Sequence, residues 1–150
     1  MIDQRLTDLG ITLPDTPTPA ANYVTARQTG NLVFLSGHVS TKPGREVRGK
    51  LGAEVTVEAG YAAARSVAID LLATLKAHLG SLDRVKQFVK ITGMVQATPD
   101  FVDHPKVMNG ASDFLVEVFG DAGKHARAAI GMVSLPGNAA IEIEAIVEVG

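Results

Sequence analysis

The sequence predicts an α+β domain built on a mixed sheet, with elements in the order β-β-α-β-α-β-β and both helices on one face. Three observations carry this. The chain has 150 residues, the length of one domain and enough to bury a core. Two stretches have helical spacing of apolar residues, and each stands between segments that read as strands. Helices that cross over between strands in this way imply a sheet that is partly parallel.

The elements follow in chain order. Residues 2–10 read as a short helix ended by Gly10, within an N-terminal extension over residues 1–20. Leu13 to Pro19 is extended, because each Pro pushes its predecessor out of the helical region. Ala21–Gln28 and Leu32–Ser36 read as strands around Thr29-Gly30-Asn31, a hairpin signal. Gly37 to Gly52 is polar and Gly-rich, with His38, Lys42-Pro43-Gly44-Arg45 and Arg48-Gly49-Lys50, and is expected to be a mobile loop. Thr56 caps the first long helix and Glu58 suits its first turn; Ala64, Ala68, Leu71, Leu75 and Leu79 form one face, and Gly80 stops it.

The strand Val85–Val95 is expected to set Val85, Val89, Ile91 and Val95 on one side, with Lys86, Phe88, Lys90 and Met94 opposite. A second helix runs from about Pro105 to Val118 and ends at Gly120. The last pair, Ala126–Leu135 and Ala140–Val149, reads as a hairpin around Leu135-Pro136-Gly137-Asn138, which would bring Arg127 and Glu142 together. Apolar residues on both sides of several strands (Val33 and Leu35 against Leu32 and Phe34, for example) call for a second cover over the sheet. Self-association through the open face supplies one; the alternative is the N-terminal segment folded across it.

Hydrophobic residues make up 46% and charged residues 20%, the balance of a globular protein. The net charge is −2 and the pI about 6.1, so there is no electrostatic case for nucleic acid or an anionic membrane. There are no cysteines, which excludes disulfides, thiolate metal sites and cysteine nucleophiles. No apolar run approaches the roughly eighteen residues of a membrane span. The N-terminus lacks the apolar stretch of a signal peptide, and the expected location is cytoplasmic.

Arg127 offers a planar fork that fits a carboxylate at two points, and its charge persists at all working pH values. It also reads as an ordinary strand-end ion pair. Glu142, Glu144 and Glu148 share one face of the last strand: a solvated face, a proton-shuttling group in a cleft, or clustered acids raising one another's pKa. Ser36-Gly37 closes a strand at the start of the long loop, where Gly37 would let a ligand near the backbone. No Gly-x-Ser-x-Gly elbow marks a serine nucleophile. Tyr23 in the first strand and Asn109 in the second helix could face a pocket or simply pack. His38, His78, His104 and His125 lack metal-ligand spacing, and no phosphate loop or dinucleotide fingerprint is present. No metal and no organic cofactor are expected.

Four segments in order carry a resemblance: Asn22-Tyr23-Val24-Thr25-Ala26, Gly30-Asn31-Leu32-Val33-Phe34-Leu35-Ser36-Gly37, Arg127 through Leu135-Pro136, and Ile141-Glu142-Ile143-Glu144-Ala145. From about residue 21 to 148 the chain resembles the RidA/YjgF family, also called the endoribonuclease L-PSP or reactive-intermediate deaminase family. The resemblance implies a chorismate mutase-like fold assembled as a homotrimer, with small-carboxylate sites between subunits. It implies that Arg127 binds the carboxylate of a 2-imino or 2-enamino acid and that Glu142 positions the hydrolytic water. Tyr23, Ser36, Gly37, Asn109 and Ala129 would line the same pocket.

Three departures point to a divergent, chorismate mutase-like branch. Asn22-Tyr23-Val24-Thr25-Ala26 stands for the usual Pro-Tyr-Ser-Gln-Ala, His38 for Gln, and Ala129 for Cys. The implied activity is hydrolytic deamination to a 2-keto acid and ammonia; the alternative is a non-catalytic trimer that binds small carboxylates. The acidic pI argues against the ribonuclease activity in the family's name.

Overall fold

The computed structural model describes residues 1–16, 18, 19 and 21–150; Pro17, in the expected extended stretch, lies outside the described residues. Helix α1 spans Ile2–Asp8, strand β1 Ala26–Thr29, strand β2 Leu32–Val39 and helix α2 Val57–Leu79. Strand β3 spans Val85–Gln96, helix α3 His104–Phe119, strand β4 Ala126–Met132 and strand β5 Ile141–Val149. The long helices form where local chemistry dictates. Thr56 caps α2 by accepting from the Ala59 amide at 3.1 Å, and Ala64, Ala68, Leu71 and Leu75 lie fully buried below it. In α3, Pro105 sits in the first turn, where no amide partner is lost, and Val107, Met108, Ala111, Phe114, Leu115 and Val118 form the buried face.

The sheet has five strands in the order β1-β2-β5-β3-β4. Only β3 and β4 run parallel, and α3 is the crossover between them. This corrects the expected closing hairpin: β4 and β5 do not pair, because β3 lies between them. The turn after β4 instead carries the chain past β3 into the middle of the sheet, where β5 pairs antiparallel with both β2 and β3.

A second correction concerns β3. Phe88 pairs with Val147 and Lys90 with Ile146, so Val89 is an extra residue in a bulge. The bulge reverses the alternation, so Phe88 joins Ile91 and Val95 in the core while Val89 points outward. With Ile141, Ile143 and Val147 of β5 these residues meet α2 and α3 in one core. The opposite face of the sheet is open, and Phe34 and Ile130 remain 43% and 41% exposed on it. Helix α1 does not cover that face. It lies against the helical layer, with Leu6 buried, Arg5 Nε donating to the Glu117 carbonyl at 2.9 Å and Asp3 paired with Lys76.

The stretch from Gly37 to Gly52 is not the expected mobile loop: Gly37 to Val39 continue β2, and the remainder is pinned. Leu51 is fully buried, its amide donates to the Gln96 carbonyl, and the Gly49 amide donates to the Asn138 carbonyl. The clamp is the buried side chain of Gln96, whose Nε2 donates to the Gly49 carbonyl at 2.9 Å and to Asn138 Oδ1 at 2.8 Å. Its Oε1 accepts from the Leu135 amide at 2.7 Å. One side chain thus ties the loop to the turn that feeds β5.

Candidate functional site

Two groups of the expected site residues form within the chain, on opposite faces of the sheet. The first surrounds Glu142. In β5 its register partners are Val39 and Met94, and alternation turns its side chain to the open face, away from buried Ile141 and Ile143. Its carboxylate lies over Gly37: a Cβ on that glycine would stand 2.0 Å from Oε2. The Glu142 pKa is raised, first by burial and then by the neighbouring charge of Glu144. Ser36 adjoins, but its hydroxyl donates to the Val24 carbonyl at 2.6 Å and holds the β1 entry segment. Tyr23 does not join this group: it lies ahead of β1 rather than in a strand, half exposed, and with His38, Lys42 and Asp70 it lines a cavity of about 250 Å³ that neither Glu142 nor Ser36 enters.

His38 takes a structural place beneath this group. Its Nδ1 bonds the Ser36 carbonyl and its Nε2 the Thr74 hydroxyl of α2, both at 2.7 Å. Burial is the main influence on its pKa, which is lowered, so the neutral ring is favoured.

The second group surrounds Arg127 in β4. Arg127 pairs with Ile91, a core-facing residue, so it points to the helical side of the sheet. There Nη1 donates to Asn109 Oδ1 at 2.9 Å and to Ser112 Oγ at 3.1 Å, both on α3. Ala129 follows on the same face, opposite Gly93, and packs against the core. Ser112 Oγ lies 2.9 Å from His125 Nε2, and His125 Nδ1 lies 2.6 Å from the Gly123 carbonyl. The pKa of His125 is lowered, chiefly by burial and also by the Arg127 charge, against the raising effect of its backbone hydrogen bond.

The structure therefore joins Asn109 and Ala129 to Arg127, and Gly37 to Glu142, but separates Arg127 from Glu142. Their partners on β3 are three residues apart and one strand lies between them, which puts their Cα atoms roughly 14 Å apart. Ser112 and His125 were not anticipated as members of the Arg127 group. Their signals were present: Ser112 stands three residues after Asn109, on the same helix face, and His125 two before Arg127. Among the described residues no cluster of His, Asp and Glu could hold a metal ion, and no helix is long and apolar enough to cross a membrane.

Residues 3–148 match the family described as "YjgF/chorismate mutase-like, putative endoribonuclease". The chain belongs to the YjgF family. Its relatives include protein TCP17 of Trypanosoma cruzi, 43% identical over 146 residues that make up 96% of this chain and 91% of that one. A 2-iminobutanoate/2-iminopropanoate deaminase of Dermatophagoides farinae is 30% identical over 138 residues, 91% of this chain and 93% of that one. The crystal structure of a "putative endoribonuclease" from Shewanella oneidensis superimposes with a TM-score of 0.95 at 33% identity, covering 99% of each chain. The α+β architecture described above is thus that of the YjgF/chorismate mutase-like fold.

Proposed function

We propose that this YjgF-family chain is a hydrolytic deaminase of small 2-imino and 2-enamino acids. It would act as a homotrimer in which the Arg127 group of one copy meets the Glu142 group of another. The observation that carries this reading is the division of the site. The residue suited to anchor a carboxylate and the residue suited to move a proton are both present, yet on opposite faces of one sheet. A second copy seated on the open face would cover Phe34 and Ile130 and bring another Arg127 group to the Glu142 side. The relative from Dermatophagoides farinae supports the reaction class.

The chemistry needs only these groups. Arg127 Nη1 uses both its hydrogens on Asn109 and Ser112, which aims the Nε–Nη2 edge as a two-point fork for the substrate carboxylate. On the protonated imine, Glu142 takes a proton from water as the oxygen adds to the carbon and gives it to the carbinolamine nitrogen; as the C–N bond breaks it takes the hydroxyl proton and passes it to the departing ammonia. One water is consumed, the C–N bond breaks, and a 2-keto acid and ammonia leave. A raised Glu142 pKa suits this exchange, since the group must both accept and give the proton.

The test is to generate 2-iminopropanoate in situ and follow its loss with wild type and Arg127→Ala. Wild type should accelerate hydrolysis and Arg127→Ala should lose the acceleration; no acceleration by wild type overturns the deaminase reading. If wild type then binds 2-ketobutyrate in an Arg127-dependent manner, the protein is a carboxylate-binding module. Light scattering that gives a monomer at micromolar concentration overturns the shared site.

A further inference from the structure

We propose that His125 is a positioning residue for Arg127, acting through the Ser112 hydroxyl. The proposal rests on the reading of Arg127 as the carboxylate anchor. Its basis is the accounting of protons along one chain of hydrogen bonds. The Gly123 carbonyl can only accept, so His125 Nδ1, at 2.6 Å, must carry the proton. In the neutral ring Nε2 is then an acceptor, and its partner Ser112 Oγ at 2.9 Å must donate. A serine hydroxyl has a single proton. Committed to His125, it leaves only lone pairs facing Arg127 Nη1 at 3.1 Å, the arrangement a guanidinium requires.

The start of this chain is as firmly placed as its end. Gly123 is buried so close to α3 that a Cβ there would stand 2.2 Å from the Leu115 carbonyl oxygen. The turn carrying the orienting carbonyl therefore rests directly on the helix that supplies Asn109 and Ser112. Those two residues, three apart on one helix face, hold Nη1 from two sides. Burial favours the neutral His125 ring, in agreement with the proton order. A nucleophilic serine is not the better reading of the Ser112–His125 pair, because the lone pairs that would attack are engaged by Arg127.

The experiment combines nitrogen NMR with binding of 2-ketobutyrate in wild type, His125→Phe, His125→Gln and Ser112→Ala. The ring spectrum of His125 should show the neutral form protonated at Nδ1, and the Arg127 guanidinium should show slowed rotation. Phe keeps the ring volume without the acceptor, whereas Gln keeps an acceptor near the Nε2 position. His125→Phe and Ser112→Ala should each release the guanidinium and weaken 2-ketobutyrate binding about tenfold, the size of about one hydrogen bond to a charged group. The double variant should be no weaker than either single one, and His125→Gln should restore binding to within about twofold.

A guanidinium equally ordered in wild type and His125→Phe overturns the proposal. So does a ring protonated at Nε2, or a Gln variant as weak as the Phe variant. If wild type binds no 2-ketobutyrate, the anchor reading fails, and the Arg127 spectrum still decides the role of His125: ordering lost in His125→Phe supports it, ordering retained overturns it.

Discussion

One added methyl group asks whether Glu142 stands where the reaction needs it. In Gly37→Ala an ideal Cβ would lie 2.0 Å from Glu142 Oε2, 3.0 Å from Cδ and 3.3 Å from Cγ. A carbon and an oxygen rest about 3.4 Å apart at contact, so the carboxylate oxygen must retreat by about 1.4 Å. Little else need change. Gly37 is not among the positive-φ glycines, so alanine fits its backbone, and its surface exposure means that no core packing is disturbed. Moving the side chain off its rotamer costs about 0.5–1.5 kcal/mol, a small loss of stability. Displacing a proton-transfer group by more than 1 Å costs about 10²-fold in rate. Initial rates of 2-iminopropanoate loss, with a melting curve for each protein, make the assay. The expected result is kcat down about 10²-fold and KM within about threefold, because Arg127 belongs to the other face. Wild-type kcat in Gly37→Ala would refute Glu142 as the proton-transfer group.

Two further outcomes are expected. Glu144→Gln removes a like charge that helps raise the Glu142 pKa, so that pKa falls; since the base acts as carboxylate, the acid limb of kcat/KM should move to lower pH, and an unmoved or higher limb contradicts the assignment. Gln96→Leu deletes three hydrogen bonds of 2.7–2.9 Å and strands the buried Gly49 carbonyl and the Leu135 amide. The cost is about 2–4 kcal/mol and Tm should fall by about 5–15 °C in thermal unfolding followed by circular dichroism; a fall below about 2 °C refutes the clamp.

Helices were legible because what makes them is local. Thr56, the Ala64–Leu79 stripe and Gly80 placed α2 within one residue of its observed ends, and Pro105 and Gly120 did the same for α3. The strand partners were not, because a turn signal says that the chain reverses and not which edge it then joins. Leu135 to Asn138 has hairpin composition, yet its lead amide is held by Gln96 and the following strand enters between β2 and β3. The β3 bulge was equally hidden, since strict alternation contains no inserted residue; a Phe set between Lys86 and Lys90 on the supposed outer side was its one trace. For the site, the resemblance assigned Arg127, Asn109, Gly37 and Glu142 to one pocket without dividing them; the structure sets Asn109 with Arg127 and Gly37 with Glu142, and β3 breaks the Arg127–Glu142 neighbourhood that the closing segment suggested. Ser112 and His125 were not legible as partners of Arg127, because polar side chains near a charged one look like solvated surface until their contacts are known.

The position of β5 bears on how the protein is made. It follows every other strand in the chain, yet it is the strip that joins the two halves of the sheet. Until β5 is in place, β1–β2 and β3–β4 have no strand to join them, and each pair leaves an inner edge without a partner. Such edges invite pairing with other nascent chains, and the long-range closure they await is slow. The strand that ends this vulnerable interval also carries Glu142. Sheet closure and the arrival of Glu142 are thus a single event.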